Sequence, residues 1–366
     1  MSAELTQDRT GDRSDDRADD RVEACEGAPV IGPPPAQAVA ELGWGMWASA
    51  VVQAAAQLKL ADAVGDEPAT VEEIAAAVGA DVPALKRLMR ALVGFRIFRQ
   101  AAPGSYAHTP MSRAMRSDAP GSVTDIMLTG SHWGWEMWGK LAESVRTGGC
   151  AFQETYGKDL FTYFHEDDNA AGETCLKGYA AQSRAMNPGV VAALDLAGVD
   201  TLCDVGGGHG SLLKSLLEGN PSVKGVLFDR PHAISAALPE LRAGGALGDR
   251  TELVTGDCFE GVPEADVYVI RQVLHMWDDD ACHTVLANCL KAGRPGGRVV
   301  LLEQLVADPP ETPWDALMDL HMLLVMGGWE RTAEEYGAMF ERAGLEYAGV
   351  VPSGTPLRLV VGRIPG

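Results

Sequence analysis

Three residues far apart in the chain carry side chains suited to moving a proton. His275 follows a short apolar run, residues 265–271, in the string R-Q-V-L-H-M-W-D. An imidazole just beyond a strand end becomes a competent base when a carboxylate on one ring nitrogen fixes its tautomer and stabilises the imidazolium. Two carboxylates could play that part, Glu303 closing V-L-L-E-Q and Glu330 within G-G-W-E-R-T. A lone histidine at this place could equally cap the next helix or fill a gap. The two acids favour the base.

A second set of residues is suited to binding. Residues 201–213 read T-L-C-D-V-G-G-G-H-G-S-L-L, with Asp204 just ahead of three successive glycines. Glycines where a buried strand turns into a helix let backbone amides approach a ligand closely. A P-loop would end in Gly-Lys-Ser/Thr, but this turn ends His209-Gly210-Ser211. The nicotinamide fingerprint G-x-G-x-x-G also fails, because Gly206, Gly208 and Gly210 close one residue short. Residues 223–229 (V-K-G-V-L-F-D) then end in Asp229, where a Rossmann-type unit sets a carboxylate on the ribose hydroxyls. Residues 253–259 (L-V-T-G-D-C-F) read as a third strand ending in Gly-Asp. Asp257 could accept the exocyclic amine of adenine while Cys258 and Phe259 pack its ring. Either acid alone reads as a solvated loop residue or a helix N-cap. Their order at successive strand ends favours a site.

A sheet is needed to align these residues. Candidate strands are 201–205, 223–229, 251–255, 265–271 and 297–303, with helices between them and a late strand at 355–362. Successive βα units predict an α/β, Rossmann-like doubly wound domain over 190–366, with its ligand at the carboxyl ends of the strands. Residues 36–120 read as a mostly helical winged-helix domain. Its helices are expected at 44–60, 70–78 and 82–97, with Gly79-Ala80-Asp81 as the helix-turn-helix turn and 98–109 as the wing. Linking helices are expected over 121–189, and they are rich in aromatics: His132, Trp133, Trp135 and Trp138 with Met137, then Phe152, Tyr156, Phe161, Tyr163 and Phe164. Most of these suit a helix core, and some should line a pocket for an aromatic ligand.

Composition narrows the partners. The chain has 366 residues, 46% of them hydrophobic, and a net charge of −21. So acidic a chain lacks the phosphate attraction on which nucleic-acid binding depends and is repelled by anionic lipid, so neither partner is expected. Lys86, Arg87 and Arg90 on the second helix of the winged helix invite a DNA-binding reading. Met89, Val93 and Phe95 on the same segment favour burial against a second copy, hence a homodimer. Residues 1–35 read as a disordered acidic tail and linker, with acid–arginine repeats over 7–21 and three prolines at 33–35. No apolar stretch of signal-peptide type precedes Val30, so a cytoplasmic location is expected. The seven cysteines are scattered and include no CxxC pair, so reduced thiols and no metal are expected.

Taken together, D-V-G-G-G-H-G, F-D-R-P-H, R-Q-V-L-H-M-W-D, L-L-E-Q and G-G-W-E-R-T resemble one family. It is the class I, S-adenosylmethionine-dependent small-molecule O-methyltransferases, the plant caffeate and flavonoid enzymes and their bacterial antibiotic-pathway relatives. F-Q-E-T-Y-G at 152–157, and F-T-Y at 161–163 with Asp168, resemble its linker helices. The resemblance implies S-adenosylmethionine as cofactor, with S-adenosylhomocysteine as product. It places the cofactor on Asp204, Gly206, Gly208, Asp229, Asp257, Cys258, Phe259 and Arg271, and, by looser alignment, Ser183 at the methionyl carboxylate. It makes His275 the general base, Glu303 and Glu330 its partners, and the winged helix a dimerisation domain. Cys258 stands where many plant members have Met and Arg271 where they have Lys; both can serve through backbone or alkyl contacts. The implied acceptor is the phenolic hydroxyl or carboxyl of an aromatic small molecule in bacterial secondary metabolism. A phenol holds its proton at neutral pH, with a pKa of about 10, so a base is needed to remove it. Methylation of an activated ring carbon, and a non-methylating decarboxylase or hydroxylase, are the rival readings. Residues 131–138 and 317–329 point to no particular plant acceptor.

Overall fold

Apolar runs too short for helices pair into the central sheet. The computed structural model describes residues 33–119, 121–129, 133–310 and 312–366. The expected disordered segment 7–21, Cys25, Ser131 and His132 lie outside the described residues. The strands of the large sheet are β4 (Thr201–Val205), β5 (Lys224–Asp229), β6 (Thr251–Thr255), β7 (Val267–Arg271), β8 (Arg298–Gln304), β9 (Glu346–Pro352) and β10 (Leu357–Arg363); β1 to β3 form a separate small sheet, given below. Their order is β6-β5-β4-β7-β8-β10-β9. The first five run parallel, and β10 lies antiparallel between β8 and β9. Leu202 to Val205, Val267 to Ile270 and Val299 to Gln304 are buried throughout, as strands covered on both faces must be.

The chain steps from β4 outward to β5 and β6, then returns to the other side of β4 as β7. The strand order reverses there, and a crevice opens at the carboxyl ends of the strands. Val205 lies opposite Ile270, and Arg271 opposite Leu302. The glycine turn, the end of β7 and Glu303 therefore leave the sheet along one edge.

The third strand spans Thr251–Thr255 as expected, and the string 253–259 does not continue as strand, because Asp257 Oδ1 accepts the Phe259 amide at 3.0 Å and folds residues 256–259 into a turn. The edge strand β9 was not expected from the sequence. It is mostly exposed, and its alternation is broken where the register shifts opposite Val361–Gly362.

One compact unit of the chain ends at Ser49; it holds the helix Pro35–Gly43 and the start of the helix Gly45–Gln57. In it Trp44 and Trp47 stack with ring centroids 5.8 Å apart. The second unit, from Ala50, begins with the expected winged-helix pattern. The helix Val71–Val78 is fixed by a capping box between Thr70 and Glu73, and the helix Val82–Gly94 by Asp81, whose Oδ1 accepts the Ala84 amide at 2.9 Å. A three-stranded sheet follows, β1 (Ala69–Thr70), β3 (Ser105–His108) and β2 (Phe98–Ala102). Leu60, Ile74, Leu85, Met89, Leu92 and Phe98 form its core.

The middle region is helical, and several of its aromatics are core. Trp133, Met137, Phe152 and Phe164 are buried with Leu324 and Val325 of the helix Pro313–Val325. Trp133 meets Phe152 edge-on at 5.9 Å. Among the described residues no helix is long and apolar enough to cross a membrane.

Candidate active site

The glycine turn is shaped by what lies directly beneath it. Gly206 has φ +71°, and a Cβ there would stand 2.8 Å from Val273 Cγ2. The helix Ser211–Gly219 starts immediately after the turn, so its free amides and positive end face the crevice. Asp204 is buried below, and neither carboxylate oxygen has a hydrogen-bond partner. Burial pushes its pKa up to about 7, with Arg271 opposing and Asp229 adding to the rise. Buried polar oxygens left unpartnered call for a cationic or hydrogen-bonding occupant, and a ligand bearing an ammonium group fits.

The other expected cofactor residues ring the same edge. Asp229 ends β5, and its Oδ2 accepts the Gly208 amide at 2.8 Å. Asp257 Oδ2 accepts from Arg230, the residue after Asp229, at 3.1 Å. Phe259 packs edge-on against Trp277, centroids 5.1 Å apart. Cys258 is half-buried, its thiol pushed up to about 11 by burial and the nearby Asp257 charge. Arg271 closes β7 and donates to Asn187 Oδ1 at 2.8 Å. Ser183 is half-buried on the helix Asn169–Ala193, one turn before Asn187 on the same face. Asn187 has no sequence signal; its amide also reaches the Ser211 carbonyl at 3.0 Å and Ser215 Oγ at 3.1 Å, tying the long helix to the cofactor turn.

The three proton-handling residues meet, and all three are buried. His275 sits in the single 3₁₀ turn Leu274–Met276 just after β7. Gln272, at φ +50°, bends the chain out of the strand into that turn. His275 Nδ1 lies 2.9 Å from Glu330 Oε1 and 3.7 Å from Glu303 Oε2. Glu303 Oε1 also accepts the Leu274 amide at 3.2 Å. With Glu330 ionised, Nδ1 carries the proton, and the neutral ring presents its lone pair at Nε2.

Distant segments are pressed together to make this cluster. A parallel bridge joins Leu305 to Arg331, extending β8 beside the Glu330 loop. Gly328 packs so tightly on the turn that a Cβ there would collide with the His275 carbonyl. A capping box between Thr332 and Glu335 anchors the loop on the following helix, and Asp319 Oδ1 accepts the Glu330 amide at 2.9 Å.

Electrostatics follow from this enclosure. Burial works against a charged His275, but the Glu303 charge and the Glu330 hydrogen bond and charge outweigh it and hold the imidazole above its ordinary value. Burial pushes Glu303 up to about 7, against the pull of His275. His275 and Glu303 thus each shift the other's proton affinity. Burying such charges for stability alone is poor economy, since apolar packing of equal volume does as well or better. Neighbouring His321 is pulled down to about 4, by burial first and by the His275 charge second, and its ring stacks on Trp138 at 6.3 Å. His321, Asp319 and Arg331 are not singled out by the sequence reading; Asp319 and His321 lie within the segment 317–329, and Arg331 stands beside Glu330.

Comparison with known proteins identifies the family. The profile of an O-methyltransferase domain matches residues 138–346, and that of an O-methyltransferase dimerisation domain matches 40–118. A phenazine O-methyltransferase of Lysobacter antibioticus is 34% identical over 87% of this chain and 93% of its own length. A 3-amino-4-hydroxybenzoate 4-O-methyltransferase of Streptomyces cremeus is 37% identical over 85% of each chain. Among solved structures, a calicheamicin-biosynthesis methyltransferase crystallised with S-adenosylhomocysteine superposes with TM-score 0.81 at 32% identity, covering 90% of this chain and 98% of that one. The chain belongs to the S-adenosylmethionine-dependent O-methyltransferase family, whose relatives also include N-methyltransferases.

Proposed function

We propose that this enzyme methylates a phenolic hydroxyl, or a carboxyl, of an aromatic small molecule in bacterial secondary metabolism, with His275 as general base. The observation that carries the reading is the buried contact between His275 Nδ1 and Glu330 Oε1, one strand away from the glycine turn. S-adenosylmethionine supplies an electrophilic sulfonium methyl. Asp204, Gly206, Gly208, Asp229, Asp257, Cys258, Phe259 and Arg271 would hold it along the carboxyl edge of β4, β5, β6 and β7, with Ser183 reaching it from the helix Asn169–Ala193. Asp229 suits the ribose hydroxyls and Asp257 the adenine amine, with Cys258 and Phe259 against its ring.

On the other side of the crevice, His275 Nε2 takes the acceptor proton as attack begins, while Glu330 and Glu303 stabilise the imidazolium. Proton removal of this kind contributes about 10²–10⁴-fold. In-line positioning of the reactants contributes more, on the order of 7–11 kcal/mol at best. The aromatic helices of 121–189 and the helix Pro313–Val325 supply flat apolar walls for the acceptor. The division at 1–35, 36–120, 121–189 and 190–366 fits these roles, with a cytoplasmic homodimer formed through the winged-helix domain.

The test is incubation with methyl-¹³C S-adenosylmethionine and a panel of hydroxybenzoates, aminophenols, hydroxyphenazines and flavonoids, followed by NMR of the product. A methoxy carbon supports the proposal. Labelled N-methyl or ring-methyl carbons, with no methoxy product across the panel, overturn it.

A further inference from the structure

Arg331 is 1% exposed and heads the largest fully enclosed side chains of the described residues. Its guanidinium donates to the carbonyls of Leu274 at 3.3 Å and Trp277 at 2.8 Å, the residues that bracket His275 and Met276. It also donates to Asp279 Oδ1, at 2.8 Å from Nη2 and 3.1 Å from Nε. The Trp329 ring lies 4.3 Å below the guanidinium carbon and holds its plane. The main chain of the same residue follows Glu330 directly, bridges to Leu305 and accepts the Val306 amide at 3.3 Å. One residue thus touches all three segments that carry His275, Glu303 and Glu330.

We infer that Arg331 is the positioning residue of the base: its fork clamps the 3₁₀ turn against the Glu330 loop and keeps Nδ1 within hydrogen-bonding reach of the carboxylate. The inference rests on His275 acting as the base. Stability alone does not account for a guanidinium here. Asp279 is 61% exposed, where an ion pair returns little, and a packed apolar side chain would fill the space without burying charge. What only Arg supplies is a rigid planar fork reaching two carbonyls and a carboxylate at once, which a Lys ammonium on a flexible stem does not reproduce. The thiol of Cys282 reinforces both carbonyls, at 3.2 Å to Leu274 and 3.6 Å to Trp277.

The guanidinium also adds a positive charge behind the carboxylates. Glu303 is faced by His275, Glu330, Arg331, Arg271, Tyr336 and Cys282, and His275 by Glu303, Glu330 and His321. Asp278 and Asp279 stand next to Cys282, and Asp319 next to Glu330. Loosening the Nδ1–Glu330 contact removes a group that raises His275, so the ring should lose its proton at lower pH.

The test is an NMR titration of the histidine ring signals in the full chain bound to S-adenosylhomocysteine, with His275→Gln used to assign His275. In Arg331→Met the Nδ1–H signal should broaden or vanish, and the His275 midpoint should fall by about half a pH unit or more, because the Glu330 contact that raises it is loosened. In Arg331→Lys both changes should persist, because charge is restored without the fork. S-adenosylhomocysteine affinity should stay within about threefold in both. A folded Arg331→Met protein with wild-type Nδ1–H signal and midpoint overturns the inference, even if its melting temperature falls. Should Arg331→Met fail to fold, Asp279→Asn together with Arg331→Lys decides: weakened Nδ1–H signals support the clamp, and unchanged signals in both overturn it. Methyl transfer by His275→Gln is measured in parallel. Undiminished transfer there removes the base reading, whereas loss of transfer with an unperturbed ring in the Arg331 variants removes the clamp alone.

Discussion

The glycine turn has its two acids at the next two strand ends in chain order, and both stand partly in solvent. His275 takes one of its acids from a loop 55 residues away and seals it completely. In the first region, the proposed cofactor contacts are spread over many backbone and side-chain groups. In the second, His275 is enclosed with two buried carboxylates in direct contact. Loss of one residue should therefore be graded in the turn and abrupt in the cluster.

The sharpest break is His275→Ala. Turnover should fall by about a hundredfold or more, while a calorimetric titration shows S-adenosylhomocysteine affinity unchanged. Near-wild-type turnover would sink the base assignment. Gly328→Ala comes next, because its new methyl has to displace the His275 carbonyl. Turnover about tenfold lower with normal cofactor binding is expected, since small misplacements of a reacting group are costly. Equal activity would mean that the turn can shift freely.

On the cofactor side, Asp229→Ala should weaken S-adenosylmethionine binding by about tenfold, the scale of one charge-assisted hydrogen bond, and leave saturated turnover close to normal. Unchanged affinity by calorimetry would take Asp229 off the ribose. Glu330→Gln tests the coupling through pH. The raised His275 puts the acidic limb of kcat/KM above the ordinary imidazole value of about 6.5. Removing a negative charge destabilises the imidazolium, so that limb should move to lower pH. A limb that stays in place would mean Glu330 does not set the proton affinity of the ring.

The smallest effect is on stability. Asp204, at about 7 when folded against 3.8 for a free carboxyl, favours the unfolded state increasingly as pH rises between those values. Asp204→Asn should therefore raise the melting temperature of the ligand-free protein at pH 8 and lose that advantage below about pH 4. A lower melting temperature at pH 8 would show that the carboxylate is compensated.

The glycine turn was legible because its chemistry is local: glycines and acids stand at strand ends that short apolar runs already mark. The strands β4, β5, β7, β8 and β10 and the winged-helix pattern were legible for the same reason. The exposed edge strand β9 lacks an apolar run, and the turn at 256–259 depends on one side-chain contact from Asp257. His275, Glu303 and Glu330 could be nominated from their strings, but nothing in a linear pattern measures the distances among them.

The sequence by itself therefore determined the sheet, the cradle and the identity of the candidate base, because hydrophobic periodicity and glycine act over a few residues. Only the tertiary structure decided that Nδ1 faces Glu330 and that Asn187 ties the long helix to the turn. It alone brought Arg331 beneath the base, because burial and hydrogen bonding between segments tens of residues apart exist only once the core has closed.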